Sequence, residues 1–405
     1  MDQIAIHPSG AEIAFSGIDY TDFADYRYGL YIYSLAQDTT RCVFAPGKYH
    51  IAQMVYLNDH ELMFVAGKHE KEAIMQCPEF MHVDLATDAV TLLCNQDLSV
   101  GNSIGSDCRY GSGQSMAVEG ETIYFLSVIE DESCILSCDK QGRLKTVVAN
   151  GGSIDMFDIQ GDCIAYVGMH DMHLQELYLF NIHADLRPRC LTGHNDDVIK
   201  ACPPLMPEKL QFQNANGDEI HGFVIKPANY NENEKYPAIL DIHGGPRVAY
   251  GAVYFHEMQL WARMGYFVFF CNPTGSDGRG NKFWLGGRFG TIDFDDLMQF
   301  TDVVLDKYPQ IDRKRVGVTG GSYGGFNRFA AAVSQRSIAN NVTMELTTDL
   351  GILHASQQIY SSTFTDYQYV WNTSPLKYAG NVTTPTLFIH SSEDWRCGPS
   401  EGLQI

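Results

Sequence analysis

The chain has 405 residues, of which 45% are hydrophobic and 19% charged, an ordinary globular composition with room for two or three domains. Its formal net charge of −21 repels phosphate backbones and anionic lipid head groups, and no local basic patch offsets that charge. No apolar run approaches the length of a membrane span, and the N-terminus does not read as a signal peptide. We therefore expect neither nucleic-acid nor membrane binding.

The 11 cysteines are scattered without a C-x-x-C pair, and their odd number argues against a complete disulfide framework. Cys134 and Cys138 lie four residues apart in a strand-like segment, but no second ligand pair follows at the spacing of a zinc site. These observations predict a reducing, cytoplasmic setting, no metal and no cofactor.

Strand-like segments recur through the N-terminal half. Each is an apolar, aromatic run after an acidic residue, and they cover residues 12–17, 61–67, 121–125 and 162–168. Short strands at this period are typical of propeller blades, and a β-sandwich is the alternative. The pattern predicts a partial all-β propeller of about four blades over residues 1–203.

The segment from Cys202 to Pro207 is rich in proline and indicates a domain boundary, after which the pattern changes. Predicted strands cover residues 210–213, 220–225, 238–242, 266–270, 316–319 and 386–389, with helices near 255–264 and 291–305. Strands that alternate with helices predict a mostly parallel α/β sheet. The predicted second domain therefore covers residues 204–405.

The segment Gly320-Gly321-Ser322-Tyr323-Gly324 fits a nucleophile elbow, G-x-S-x-G, in which a sharp turn between a strand and a helix presents the serine. Alone, this match could be an ordinary glycine-rich turn. We predict Ser322 as the nucleophile and the N–H of Tyr323 as one oxyanion-hole donor. The loop His243-Gly244-Gly245-Pro246 supplies the second donor, for which we select the Gly245 amide.

The orienting acid should follow a later strand, and Asp394 does so with Glu393 as the rival. In this fold the catalytic histidine comes after the acid, but no histidine follows Asp394 in the sequence, so we expect little turnover. We interpret His243 and His390 as structural. His256 and His354 are remote alternatives for the base. Asp277 is expected to cap the chain or bridge to Arg279 rather than to take part in chemistry.

With these motifs, the C-terminal half resembles the prolyl oligopeptidase family of serine peptidases, and within it the acylaminoacyl-peptidase and dipeptidyl-peptidase-like branch. The matching segments are residues 243–246, 269–273, 275–280, 320–326, 374–379 and 390–397. The resemblance implies an α/β-hydrolase domain after a β-propeller that restricts access to short peptides, and it leaves room for a homo-oligomer. It also implies that Arg396 binds a substrate carbonyl, although a salt bridge to a neighbouring carboxylate is the alternative.

The sequence departs from the family in three places. It has fewer blades than the family's propeller, and it lacks the last helix, last strand and catalytic histidine, so we expect a chain truncated at both ends. The stretch after Phe326 is too short for a full crossover helix. Either residues 323–336 form one helix and a strand is lost, or the sheet is disrupted locally.

Together these features predict a serine peptidase acting on short or N-blocked peptides through an acyl-enzyme on Ser322. The alternatives are an esterase of the same fold and a non-catalytic binding protein on a degenerate peptidase scaffold.

Overall fold

The computed structural model describes residues 3–18, 27–68, 75–111, 113–184, 186–322 and 329–405. Its first fifteen strands form antiparallel sheets with neighbouring strands in chain order. They are β1 Ile4–Ile6, β2 Glu12–Gly17, β3 Tyr28–Ser34, β4 Thr39–Asn58, β5 Glu61–Lys68, β6 Glu79–Asp84, β7 Ala89–Cys94, β8 Met116–Glu119, β9 Thr122–Ile129, β10 Glu132–Asp139, β11 Leu144–Val148, β12 Ser153–Gln160, β13 Cys163–Met169, β14 Glu176–Asn181 and β15 Arg189–Cys190.

Strand β4 joins strands β1–β3 to strands β5–β7. Its first part pairs with β3 and its second part with β5, which links β1 to β7 into one seven-stranded sheet. Strands β8–β11 and β12–β15 form two four-stranded sheets. The apolar cores lie between successive sheets, as where Phe80 of β6 contacts Phe125 of β9 with 4.8 Å between ring centroids. This is the predicted partial all-β propeller, while the number of blades and the boundary at 203/204 stay predictions.

The second part of the chain forms one seven-stranded sheet in the order β16-β17-β19-β18-β20-β21-β22. Its strands are β16 Glu208–Gln213, β17 Glu219–Ile225, β18 Tyr236–Ile242, β19 Phe267–Asn272, β20 Ile311–Gly321, β21 Ala331–Gln335 and β22 Thr386–Ile389. The first three in sheet order pair antiparallel, and the strands from β19 to β22 pair parallel. The predicted mostly parallel sheet of an α/β-hydrolase domain is therefore confirmed.

The helices of the chain are α1 Asp196–Ala201, α2 His256–Arg263, α3 Ile292–Lys307, α4 Asn341–Thr347, α5 Gly351–Leu353, which continues as the π-helix His354–Ile359, α6 Tyr367–Asn372 and α7 Pro399–Gln404, with 3₁₀ turns at Asn281–Phe283 and Pro375–Asn381. Helices α2 and α3 pack against opposite faces of this sheet. Side chains alternate between the faces, so Phe269 packs with α3 and Phe270 packs with α2. Helix α3 approaches closely because Gly222 leaves room for the ring of Phe300. Among the described residues, no helix is long and apolar enough to span a membrane.

The stretch after the elbow corrects one alternative from the sequence. Residues 331–335 form strand β21, which pairs parallel with β20 and β22 with Gly317 opposite Ala331. The interpretation as one helix over residues 323–336 is therefore wrong, because a strand at this position satisfies backbone groups of both neighbouring strands. The predicted helix immediately after Ser322 falls on residues 323–328, which lie outside the described residues.

Backbone and side-chain contacts join the two parts of the chain. A parallel bridge pairs Ile104 with Ala249, and Lys209 donates to Asp131 at 2.9 Å. Ile104, Val128 and Met169 also form an apolar cluster with Ala249 and Val253. The loop that follows β18 therefore lies directly against the propeller.

Candidate active site

Ser322 directly follows β20 and adopts a left-handed backbone conformation, with φ of 62°. This conformation is uncommon for a residue with a side chain and marks the sharp turn that a nucleophile elbow requires. The Ser322 N–H donates to the carbonyl of Gln335 at 3.1 Å, and its carbonyl accepts from Ile338 at 2.9 Å. Strand β21 therefore holds the strained turn in place.

The loop after β18 approaches this turn through a glycine. A Cβ added to Gly244 would lie 3.3 Å from the Ser322 Cβ and 3.1 Å from the Gly321 carbonyl oxygen. The next residue, Gly245, has φ of 124° and is exposed, and its N–H makes no hydrogen bond to the described residues. The structure thus places the loop beside the nucleophile, while the donor roles of Gly245 and Tyr323 stay predictions, the latter outside the described residues.

Both ring nitrogens of His243 have partners, one in its own loop and one in the loop after β19. Its Nδ1–H donates to the Gly244 carbonyl at 2.8 Å, and its Nε2 lies 3.0 Å from the Ser276 hydroxyl. Burial lowers the pKa of His243, which keeps the ring neutral. These contacts agree with the structural interpretation of this residue.

Asp394 lies in a tight turn beyond β22 and is mostly buried. Its Oδ1 accepts the N–H groups of Arg396 at 3.0 Å and Cys397 at 2.8 Å, and its Oδ2 lies 3.9 Å from His390 Nε2. The Sγ of Cys397 lies 4.0 Å from Ser322 Oγ. A single residue therefore connects the predicted acid with the predicted nucleophile. Glu393, the rival acid, is exposed.

Cys397 is a site neighbour that the sequence did not single out. Its side chain is buried, and desolvation raises the pKa of the thiol. The group next to Ser322 Oγ is therefore a neutral thiol, which cannot serve as a base at neutral pH.

The other histidines have structural contacts. His390 Nε2 lies 2.5 Å from the Cys397 carbonyl, and His354 contacts Gln358 Oε1 at 2.7 Å and Asn341 Oδ1 at 3.0 Å. His256 begins α2, and its N–H donates to Asp107 at 2.6 Å. Among the described residues no imidazole contacts Ser322 Oγ.

Arg396 and Asp277 contact residues far away in the sequence. The guanidinium of Arg396 makes a two-point contact with Asp349, at 2.8 and 3.1 Å, which is the salt bridge given as its alternative. Its role in binding a substrate carbonyl stays a prediction. The expected bridge from Asp277 to Arg279 is wrong, because Asp277 pairs with Arg247 at 3.2 Å while Arg279 donates to the carbonyl of Glu219.

The described part of the chain contains one cluster of residues that could bind a metal ion. The side-chain ligand atoms of Glu130, Asp131 and His221 lie within 4.8 Å of one another. This group lies between the propeller and the hydrolase sheet. Lys209 and Glu219 already pair with its members at 2.9 Å each. The cluster is therefore a network of ion pairs between the two domains, in which Lys209 and His221 partly offset the charge of the three carboxylates.

The chain is similar in sequence to known peptidases. Residues 252–405 match the model of the prolyl oligopeptidase family. The chain is 33% identical over 323 residues to the uncharacterized peptidase YuxL of Bacillus subtilis, which covers 76% of this chain and 49% of that protein. It is 28% identical over 308 residues to dipeptidyl-peptidase 5 of Porphyromonas gingivalis, with 71% of this chain and 44% of that protein covered. The chain thus spans about half the length of these curated relatives.

Solved structures show the same architecture. The acylaminoacyl peptidase of Pyrococcus horikoshii superposes with a TM-score of 0.82 at 26% identity, over 98% of this chain and 61% of that one. A puromycin hydrolase superposes with a TM-score of 0.76 at 20% identity, over 99% of this chain and 62% of that one, a likeness of fold. The propeller and the hydrolase sheet are therefore arranged as in these two structures.

Proposed function

Because the family match over residues 252–405 confirms the resemblance to the prolyl oligopeptidase family, we propose that this chain carries the nucleophile of a serine peptidase at Ser322. The observation that carries the proposal is the left-handed turn at Ser322, which faces the glycine loop, residues 243–249, where the exposed Gly245 amide makes no hydrogen bond to any described residue. A serine on such a turn beside an available amide suits attack on a carbonyl carbon.

In the proposed reaction, Ser322 Oγ forms a bond to the carbonyl carbon and its proton passes to water, because no imidazole contacts Oγ among the described residues. The carbonyl oxygen becomes an anion that the amides of Gly245 and Tyr323 stabilise, the bond between the carbonyl carbon and nitrogen breaks, and the amine leaves with a proton from water. Water then hydrolyses the acyl-enzyme. Asp394 is the proposed orienting acid, because its turn reaches Ser322 through Cys397.

For substrates we propose short or N-blocked peptides. Structures with this architecture include an acylaminoacyl peptidase, and the relatives include dipeptidyl-peptidases. Arg396, at the surface beside Asp349, is the proposed contact for a substrate carbonyl. We also propose a cytoplasmic setting, supported by eleven cysteines that are all free thiols in the structure.

We propose that turnover by these 405 residues is slow. Among the described residues the polar neighbour of Ser322 Oγ is the neutral Cys397 thiol, and no imidazole is in contact. A site with the nucleophile and oxyanion donors but no base keeps only a small part of the catalytic acceleration.

The proposal is tested with a fluorophosphonate probe, which phosphonylates a nucleophilic serine. We expect slow labelling of the purified chain at Ser322, located by peptide mass spectrometry, and none in Ser322→Ala. Ser334 lies in β21 opposite Gly320 of β20, so Ser334→Ala is a matched control. Labelling that persists in Ser322→Ala, or no labelling of the wild type, would contradict the proposal and favour a binding protein.

Substrate class is tested separately by comparing acyl esters with acyl-aminoacyl and aminoacyl p-nitroanilides in the same assay. We expect Ser322-dependent release from the anilides. Release confined to the esters would show an esterase instead of a peptidase.

A further inference from the structure

Arg247 lies within the glycine loop, and its side chain is bound by groups of the propeller. Its side chain is largely buried, its Nη1 donates to the carbonyl of Met75, and its Nη2 lies 3.0 Å from the Sγ of Cys77. Both partners precede β6 in the propeller part of the chain. A guanidinium two residues after Gly245 is thus fixed by groups from another domain.

Asp277 completes this arrangement from the hydrolase side. Its Oδ1 accepts from Arg247 at 3.2 Å, and its Oδ2 accepts from the hydroxyls of Ser99 at 2.7 Å and Ser103 at 2.6 Å. Its backbone N–H also donates to the carbonyl of Val248 at 3.2 Å. One nearly inaccessible carboxylate therefore contacts the glycine loop and two propeller serines.

The backbone of the loop is bound to the same propeller segment. The N–H of Ala249 donates to the Ser103 carbonyl at 3.2 Å, and the N–H of Gly105 donates to the Ala249 carbonyl at 2.8 Å. The loop therefore runs from its contact with Ser322 at Gly244 to a propeller bridge at Ala249. Displacement of this propeller segment must move the loop.

Such a displacement matters because an oxyanion donor acts only at hydrogen-bond distance from the developing charge. A misplacement of about 1 Å can reduce a rate by about a hundredfold. The buried pair of Arg247 and Asp277 also resists separation, because removal of one partner leaves the other charge without compensation.

We infer that Arg247 and Asp277, with Ser99 and Ser103, are positioning residues through which the propeller sets the position of the Gly245 amide against Ser322. This inference rests on the proposed function of Ser322. It makes the reactivity of the serine depend on four side chains that do not touch it.

The experiment measures fluorophosphonate labelling of Ser322 as a maximal rate and a half-saturating concentration. We expect Arg247→Met to reduce the maximal rate about tenfold or more with a similar half-saturating concentration, because the donor is lost only in the transition state. Arg247→Lys should recover part of the rate, because it keeps the charge but not the planar fork. The double variant Ser99→Ala/Ser103→Ala removes only two hydroxyls and should give a smaller decrease.

Two variants control for general effects. Lys209→Met breaks another ion pair between the domains. Arg279→Met removes a cation from the loop that carries Asp277, and among the described residues the Arg279 side chain contacts neither the propeller nor the glycine loop. Both should label at the wild-type rate.

A double variant tests whether the two charged residues act as one unit. If they do, Arg247→Met combined with Asp277→Asn should reduce the labelling rate no more than Arg247→Met alone.

Hydrogen exchange of the peptide over residues 243–250 gives a second, reactivity-independent measurement. We expect faster exchange there in Arg247→Met and Ser99→Ala/Ser103→Ala, and no change in Lys209→Met. Wild-type labelling at Ser322 together with an unchanged rate in Arg247→Met would overturn only this inference. Equal loss in Lys209→Met would also overturn it, and absence of wild-type labelling overturns the proposed function with it.

Discussion

The propeller contains a buried histidine that should make the protein sensitive to acid. The ring of His170 contacts those of Tyr166 and Tyr178, and neither ring nitrogen has a hydrogen-bond partner among the described residues. Burial lowers the pKa of His170 from 6.5 to about 4, partly opposed by the nearby charges of Asp171 and Asp155. The folded protein must therefore keep this ring neutral.

The size of the effect follows from the two pKa values. Between pH 6.5 and about 4 the unfolded chain binds a proton at His170 that the folded chain does not, so stability falls as the pH is lowered through this range. At 1.36 kcal/mol per unit the full effect below pH 4 is about 3 kcal/mol. Of this, about 2 kcal/mol is already lost at pH 5.

The assay is urea unfolding at pH 7 and pH 5 for the wild type and for His170→Phe. A phenyl ring keeps the aromatic contacts but cannot be protonated, and any constant packing cost cancels in the difference between the two pH values. We expect the wild type to lose about 2 kcal/mol more than His170→Phe on acidification. His183→Phe, which replaces an exposed imidazole after β14, serves as the control and should behave as the wild type. Equal losses in the wild type and His170→Phe would refute the reasoning.

Three further substitutions test the packing of the hydrolase sheet and the surface of the site. Gly222→Ala would place a methyl group 2.3 Å from the Phe300 ring, so we expect a loss of about 1–3 kcal/mol or more in thermal unfolding. Gly244→Ala would place one 3.3 Å from the nucleophile's Cβ, and we expect slower fluorophosphonate labelling with a smaller change in melting temperature. Asp349→Asn removes a half-exposed pair with Arg396, so we expect a change in stability below about 1 kcal/mol by urea unfolding.

The features that the sequence predicted correctly are those with a local signal. Strand β22 covers residues 386–389 as predicted from a short apolar run, and α2 lies within the predicted residues 255–264. The left-handed turn at Ser322 also has a local signal, since the G-x-S-x-G motif predicts a sharp turn at its serine.

The features that the sequence did not predict depend on distant residues. Nothing near Asp277 in the chain indicates that its partners are Ser99, Ser103 and Arg247, and proximity in sequence instead suggested Arg279. Strand β21 was not predicted, because both alternatives from the sequence, one helix over residues 323–336 or a disrupted sheet, left no strand there. Its pairing with β20 and β22 and the contacts of Asp277 involve residues far apart in the chain, so a local pattern cannot report them.

The interface between the propeller and the hydrolase domain combines apolar and polar interactions. The apolar cluster of Ile104, Val128 and Met169 with Ala249 and Val253 adjoins the buried pair of Arg247 and Asp277. Apolar burial is not directional, so it can stabilise the contact between domains without fixing a register. The buried pair and its serine hydroxyls are directional, and they can be satisfied only when the propeller segment lies at one position. The polar part of the interface can therefore fix the position of the glycine loop beside Ser322, while the apolar part stabilises the contact between the domains.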